Sequence, residues 1–143
     1  LKSIRILLSI AACMEYEIFQ MDVKTAFLNG YLDETIYMSQ PEGFEVKGQE
    51  QKVCKLLRSI YGLKQASRSW NLRFDDTIKT FGFEQNVDEP CVYKQIKDGV
   101  VVFLVLYVDD ILLIGNDVTS LSKVKNWLAE QFQMKDLERP SMF

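Results

Sequence analysis

Two adjacent carboxylates stand at the end of the most apolar segment of the chain. Nine apolar residues, 100–108, lead into Asp109 and Asp110, and four more, 111–114, follow them. This pattern predicts two buried strands joined by a tight turn that holds both acids. Burying an unpaired carboxylate is costly, so the turn must either be solvated or lie next to a cation.

Two interpretations of this acidic turn stay open. Aspartate is a common turn former, so Asp109 and Asp110 can simply make a surface hairpin turn. In the other interpretation they belong to a divalent-metal site, where Asp22, near the end of an earlier predicted strand, supplies a third oxygen ligand of the kind that Mg²⁺ prefers. A shared metal site would bring Asp22 and Asp109 within about 4–6 Å of each other on neighbouring strands. Without a cation, such neighbours repel, which makes protonation of at least one of them easier.

The composition excludes several other kinds of chemistry. The 143 residues include no histidine, which rules out Ser-His-Asp and Cys-His relays and His-ligated metals. Cys13, Cys54 and Cys91 are odd in number and far apart, so we expect small, buried, reduced thiols. The longest apolar run is less than half of the ~20 residues that a membrane-spanning helix needs. We therefore expect one soluble domain.

The charges are distributed unevenly along the chain. The net charge of −3 argues against a free-standing nucleic-acid binder, because phosphate affinity comes mostly from lysine and arginine. Residues 52–79 are nevertheless basic, between acidic flanks. The chain opens on Leu rather than Met, so we expect it to be part of something longer.

Apolar periodicity and turn residues predict a mixture of helices and strands. Helices are predicted over residues 3–14, 63–81 and 121–132, the last capped by Thr119 or Ser120. Strands are predicted over residues 16–23, 35–38, 53–57, 91–96, 100–107 and 111–114, with 40–51 as a loop. The sequence Lys-Asp-Gly at residues 97–99 predicts a hairpin turn.

Five sequence strings resemble the reverse transcriptase of Ty1/copia-type retrotransposons. They are QMDVKTAFLNG at 20–30, IYMSQPEGF at 36–44, SIYGLKQASRSW at 59–70, LYVDDILLIG at 106–115 and QFQMKDLE at 131–138. The strings occur in the family's order and cover nearly the whole chain. YVDD alone would be a weak signal, whereas five collinear strings are a specific one.

The resemblance implies an α+β fold. It is the palm-type polymerase core, an antiparallel sheet with helices packed on one side, together with part of the fingers and without a thumb. Residues 1–137 would form the palm and partial fingers. Residues 138–143 depart from the family pattern and would be a divergent C-terminal end.

The resemblance also implies a reaction, that of an RNA-directed DNA polymerase. Such an enzyme extends a DNA primer on an RNA or DNA template by nucleotidyl transfer from deoxynucleoside triphosphates. Asp22, Asp109 and Asp110 would be the catalytic, metal-binding residues for two Mg²⁺ ions, with Mn²⁺ as a substitute. The other implied partners are the remaining regions of a Pol polyprotein, namely the thumb, RNase H and integrase. No association with a membrane is implied. The implied location is the cytoplasm, within a virus-like particle for an intact element.

The same resemblance implies roles for Phe27 and Lys135. Phe27, five residues after Asp22, resembles a steric gate against the ribose 2′-hydroxyl, and the alternative is that it is an ordinary core residue. Lys135 lies near where polymerases of this type place a lysine that protonates pyrophosphate.

The segment around residue 65 matches the family's loop that contacts the template and the incoming base pair. Gly62, Lys64, Gln65 and Arg68 would therefore bind substrate, with Lys64 and Arg68 on phosphate. The alternative for the two cations is a solvated basic helix face. Family members usually carry proline where this chain has Ser67, so the residue that fixes the loop before the helix is missing.

A second function stays open, that of a catalytically inactive retrotransposon relic or co-opted binding module with the same fold. Metal-dependent primer extension separates it from the polymerase. A nucleotide-binding or cyclase enzyme on the palm architecture has only fold analogy behind it. Because the chain shows no primer-grip, thumb or RNase H sequence, we expect it to be weakly active or inactive by itself.

Overall fold

A computed structural model describes residues 2–137 as two compact units. The first unit contains residues 2–26 and 74–137, and the second contains residues 27–73. The proposed divergent end, 138–143, lies outside the described residues. Helices and strands are mixed along the chain, so the predicted α+β class is confirmed.

The helices and strands have the following bounds. The helices are α1 (Lys2–Cys13), α2 (Ala66–Thr80) and α3 (Val118–Gln131), with a 3₁₀ turn over Ala26–Asn29. The strands are β1 (Glu17–Val23), β2 (Tyr37–Ser39), β3 (Val53–Lys55), β4 (Glu84–Gln85), β5 (Val92–Lys97), β6 (Val100–Tyr107), β7 (Asp110–Gly115) and β8 (Met134–Leu137). In the described residues, no helix is both long and apolar enough to cross a bilayer.

The first unit is built on a six-stranded antiparallel sheet in the order β4-β5-β6-β7-β1-β8. Strands β5, β6 and β7 follow one another in sequence and pair as neighbours. The turn between β5 and β6 consists of Asp98 and Gly99, whose φ angles are 51° and 78°. Two positive φ angles are what a two-residue turn of type I′ requires, and Asp-Gly adopts them easily. The predicted hairpin is therefore confirmed.

One face of this sheet is covered by α1. Leu7 and Ala11 of the helix form an apolar cluster with Val92, Val105 and Ile114 from three neighbouring strands. The helix forms because its apolar residues recur at helical spacing and meet this face of the sheet. This part of the core lies on the same side of the sheet as every second residue of β1, Ile18 included.

The opposite face is covered by α3 and the C-terminal part of α2. The Phe74 ring lies 5.9 Å from the Tyr93 ring and 6.0 Å from the Phe132 ring, measured between centroids. The Tyr93 hydroxyl donates to Asp75 at 2.9 Å, which satisfies a buried polar group. Helices thus pack on both faces. The expectation of helices on one side only is wrong, because β6 and β7 are apolar on both faces and each needs cover.

The second unit holds the β2–β3 hairpin and the N-terminal part of α2. The Ser59 amide donates to the Gly30 carbonyl at 3.1 Å, which joins two segments far apart in sequence. A Cβ added to Gly30 would lie 2.9 Å from the Ser69 Cβ and 3.0 Å from the Trp70 backbone nitrogen. The missing side chain therefore lets this backbone rest directly on α2.

Several predicted boundaries shift in the structure. Helix α2 begins at Ala66 rather than 63, so Ser67 lies in its first turn and not in the loop before it. Helix α3 is capped by Asp117, not by Thr119 or Ser120, because the Asp117 carboxylate accepts from the Ser120 amide at 3.1 Å. Strands β4 and β8 were not predicted from the sequence.

The prediction of buried thiols is wrong. Cys13 is exposed, and Cys54 and Cys91 are only partly buried. Cys13 is the last residue of α1, where the helix has turned its apolar side to the sheet through Leu7 and Ala11. All three cysteines are free.

Replacing Gly115 with alanine should lower the free energy of unfolding by about 1–3 kcal/mol. A Cβ at this position would lie 2.5 Å from the Val101 carbonyl oxygen and 3.1 Å from the Leu121 Cδ2, so strand and helix would both have to move. Urea denaturation measures the loss. The control is Ser67→Thr, which adds one methyl group at an exposed position of α2. Equal losses in the two variants would contradict the crowding argument.

Candidate active site

The pairing of β1 with β7 brings Asp22 opposite Asp110. The two residues are direct partners in the antiparallel register, so their side chains leave the sheet on the same face. The Val23 amide donates to the Asp109 carbonyl at 2.8 Å, which ties the end of β1 to the β6–β7 turn. The sequence forms this contact because apolar residues on both strands leave a single register in which they are buried.

The turn that carries Asp109 has an unusual backbone. Val108, its first residue, has φ 56°, in the left-handed region that β-branched residues avoid. Such a conformation costs of order 1–3 kcal/mol and persists only where the surroundings fix it. Here the β6–β7 pairing closes directly on the turn, with Tyr107 opposite Asp110. Backbone pairing on both sides of the turn therefore fixes the position of Asp109.

The three carboxylates form one cluster. One oxygen from each of Asp22, Asp109 and Asp110 lies within 4.8 Å of the others, and all three side chains are partly exposed. The pKa of Asp110 is raised by partial burial and by the charges of Asp109 and Asp22. A hydrogen bond from Gln20 acts in the opposite direction. The three carboxylates therefore repel one another, and this repulsion favours protonation of Asp110.

This donor set suits a hard divalent cation. Mg²⁺ and Mn²⁺ prefer carboxylate oxygens, and a cation among the three groups would relieve their repulsion. The partial exposure of all three groups leaves them open to an ion, its water and a substrate. The convergence that the metal hypothesis required is present, while the metal-binding and catalytic roles of the three residues stay predictions.

A row of polar side chains crosses the sheet through the cluster. Tyr107 is the cross-strand partner of Asp110, and Lys135 of β8 is the partner of Asp22. Cross-strand partners share a face, so the order across four strands is Tyr107, Asp110, Asp22 and Lys135. Lys135 is exposed, and the register puts its position beside the acidic cluster. Its role toward pyrophosphate stays a prediction.

Gln20 is a residue of the site that the sequence did not reveal. It lies two residues before Asp22, and alternation along a strand puts both on one face. Its hydrogen bond lowers the pKa of Asp110 and favours the ionised carboxylate. The spacing of two residues on a strand was a usable signal, but polar residues at that spacing are too common to select it.

The other predicted substrate residues lie in the second unit. Phe27 is half-buried, and its ring centroid is 4.5 Å from that of Tyr61. This packing agrees with a partly structural role, while the proposed steric gate stays a prediction.

The loop before α2 has the backbone that its glycine requires. Gly62 has φ 97°, a conformation that other residues rarely adopt. Gln65 donates to Glu34 at 2.7 Å, which fixes the end of the loop. Lys64 and Arg68 are exposed, as both interpretations of these cations require. A helix forms at Ala66 without the family's proline, so that proline is not needed for the helix to start.

The chain belongs to the family described as reverse transcriptase (RNA-dependent DNA polymerase), whose model matches residues 1–143. Its relatives define the type more closely. It is 50% identical over 136 residues to the "Retrovirus-related Pol polyprotein from transposon TNT 1-94" of Nicotiana tabacum, and 40% identical over 141 residues to that of transposon RE1 of Arabidopsis thaliana. It is a reverse transcriptase fragment of the Ty1/copia retrotransposon type, as the five strings predicted.

The matches cover most of this chain but a much smaller share of each relative. The matches cover 94% and 99% of this chain but 10% of each plant polyprotein. The putative transposon Ty5-1 protein of Saccharomyces cerevisiae is 37% identical over 123 residues, which are 86% of this chain and 40% of that protein. No solved structure matches the chain.

Replacing Asp110 with asparagine should raise the melting temperature of the metal-free protein at neutral pH. The folded-state pKa of Asp110 is raised, so its ionisation opposes folding above that pKa. The penalty is absent below the ordinary aspartate pKa of about 3.9, so the gain should shrink as the pH is lowered toward about 4. Thermal unfolding across this pH range measures both effects.

The same variant should bind Mn²⁺ at least about tenfold more weakly, because one of three charged ligands is lost. The control is Asp76→Asn, which removes an exposed carboxylate of α2 outside the cluster. A lower melting temperature for Asp110→Asn than for the parent at neutral pH would contradict the repulsion argument.

Proposed function

We propose that this chain is the part of an RNA-directed DNA polymerase that holds the metal-binding carboxylates and part of the substrate-binding surface. The observation that carries the proposal is the approach of Asp22, Asp109 and Asp110 to within 4.8 Å on the sheet of a reverse transcriptase family member. The substrates are deoxynucleoside triphosphates and a template–primer, and the template is RNA or DNA.

Each carboxylate would help to hold two Mg²⁺ ions. When bound, the two ions would activate the primer 3′-hydroxyl and neutralise the charge that develops on the α-phosphate and pyrophosphate. Asp22 and Asp110 are positioned by paired strands, and Asp109 by the turn that begins at Val108. Gln20 would be a positioning residue, since its hydrogen bond favours the ionised form of the Asp110 carboxylate against the effects of burial and of the neighbouring charges.

Residues of the second unit would contact the substrates. Lys64 and Arg68 are exposed cations and would meet phosphates. Gly62 and Gln65 would shape the loop that lies against the template base pair. Phe27 would exclude the ribose 2′-hydroxyl, and its ring packs on that of Tyr61.

The curated plant relatives are polyproteins about ten times longer than this chain, so the complete enzyme includes more than the residues described here. Precise placement of the primer end contributes many orders of magnitude to such a reaction. The thumb, RNase H and integrase regions of the polyprotein are therefore its proposed partners.

Primer extension on an RNA template tests the proposal. We expect little or no product from the 143-residue chain and metal-dependent product from a longer polypeptide that carries the flanking polyprotein regions. Asp109→Asn or Asp110→Asn should reduce the product of the longer polypeptide by at least about a hundredfold, because charge neutralisation at the phosphate is lost. The control is Asp76→Asn, which should retain activity.

Two outcomes would contradict the proposal in different ways. A longer polypeptide that folds and binds template but extends no primer would favour the catalytically inactive relic or binding module. Extension that survives both aspartate replacements would show that the cluster is not the catalytic site.

Replacing Phe27 with valine in the longer polypeptide should raise incorporation of ribonucleotides relative to deoxynucleotides. The smaller side chain frees the volume that a 2′-hydroxyl needs, and we expect about a tenfold or larger shift in the ratio of kcat/KM values. Single-nucleotide extension with matched ribo- and deoxynucleotides measures it. Unchanged discrimination in a normally folded variant would return Phe27 to a purely structural role.

A further inference from the structure

Two arginines converge on one tyrosine in the second unit, and none of these three residues has been assigned a role above. Tyr31 follows Gly30, whose carbonyl accepts from the Ser59 amide, so Arg58 comes beside it. The Arg58 guanidinium carbon lies over the Tyr31 ring, 4.3 Å from its centroid. This distance is well within the range of a cation–π contact.

The second arginine comes from α2. Because Gly30 has no side chain, the backbone before Tyr31 rests on the helix at Ser69. Arg73 lies four residues beyond Ser69, on the same side of the helix. Its guanidinium carbon is 5.4 Å from the Tyr31 centroid. Three segments distant in sequence thus bring two positive charges onto one ring.

The electrostatics of this Tyr31 cluster (Tyr31, Arg58 and Arg73) favour an anion. Hydrogen bonding to Arg58, with the charges of Arg73 and Arg58, lowers the pKa of the Tyr31 phenol. Within the described part of the chain, Arg58 makes no ion pair with a carboxylate. Two like charges held this close repel, and a phosphate would relieve the repulsion while it accepts from the planar donors of the Arg58 guanidinium.

The surroundings favour an extended polyanion over a small enclosed ligand. Tyr31 is 53% exposed and Arg58 is exposed, so the cluster is an open surface. Residues 27–73 carry seven basic and five acidic side chains, a net charge of +2 in a chain whose total is −3. A phosphodiester backbone that passes along this surface would meet the positive part of the molecule.

We propose that the Tyr31 cluster is a contact site for the phosphodiester backbone of a bound nucleic-acid strand. The inference rests on the proposed function, which supplies the nucleic acid. It adds Arg58 and Arg73 to Lys64 and Arg68 as phosphate contacts. Such contacts position a strand without reading its sequence, so their loss weakens binding of all sequences equally.

The test is the salt dependence of binding of the whole chain to an end-labelled RNA–DNA hybrid, followed by fluorescence anisotropy. Each phosphate contact contributes about 0.9 to the slope of log affinity against log salt. Arg58→Gln should reduce the slope by about 0.9 and weaken binding about fivefold to tenfold at about 100 mM salt. Arg73→Gln should act similarly, and Arg58→Lys should retain most of the slope.

The matched control is Lys47→Gln, which removes one positive charge from an exposed loop of the same unit. Its slope should equal that of the parent. Equal losses in Arg58→Gln and Lys47→Gln would overturn the inference, because only overall charge would then matter. An unchanged slope in Arg58→Gln, with circular dichroism showing a normal fold, would also overturn it.

A second measurement separates the strand from a nucleoside triphosphate as the source of phosphate. Titration with a deoxynucleoside triphosphate alone should give the same affinity for Arg58→Gln and the parent. A loss confined to this titration would assign the cluster to the triphosphate and overturn the inference. The inference would also be overturned if the parent chain did not bind the hybrid. Mn²⁺ binding by the carboxylate cluster would still test the proposed function independently.

Discussion

Strand β1 is held between β7 and β8, and this pairing fixes the position of Asp22. Met21 and Val23 of β1 are buried on one face, while Ile18 packs on the other, so a slip of one residue would turn all of them to the wrong side. Each fully buried side chain stabilises the register by about 1.5–3 kcal/mol. That stabilisation offsets the mutual repulsion of Asp22 and Asp110, which are direct partners in the same register. Apolar packing therefore holds together charges that would separate in a less tightly specified sheet.

Much of the central sheet could be predicted because its signals are local. The apolar run at 100–108 and the Asp-Gly turn before it specify two strands without reference to the rest of the chain. Strand β8 could not be predicted, because Met-Lys-Asp-Leu has no apolar alternation and forms a strand only beside the free edge of β1. The prediction of the residue that caps α3 was wrong for a related reason. Asp117, Thr119 and Ser120 are all good cap residues, and the extended backbone at Asp117 decides between them.

The candidate functional residues likewise include some that the sequence could predict and others that only the structure reveals. Asp22, Asp109 and Asp110 could be found because carboxylates next to apolar strands are conspicuous and because they fall in strings typical of a known family. Their convergence then followed from pairing of the two strands. The Tyr31 cluster gave no such signal, since its members are 15 to 42 residues apart and depend on the contact of a glycine with a helix. Contacts made by loops across long sequence separations need the structure.

The central position of β1 also constrains the order in which the first unit can fold. Strands β5, β6 and β7 are neighbours in sequence and can pair early, because short loops close at low entropic cost. Strand β1 can pair with β7 only after β7 has been synthesised, because the partner of Asp22 lies 88 residues further along the chain. Contacts of such high sequence separation form slowly. During synthesis, β1 therefore leaves the ribosome well before either of its neighbours, and we expect the carboxylate cluster to assemble late.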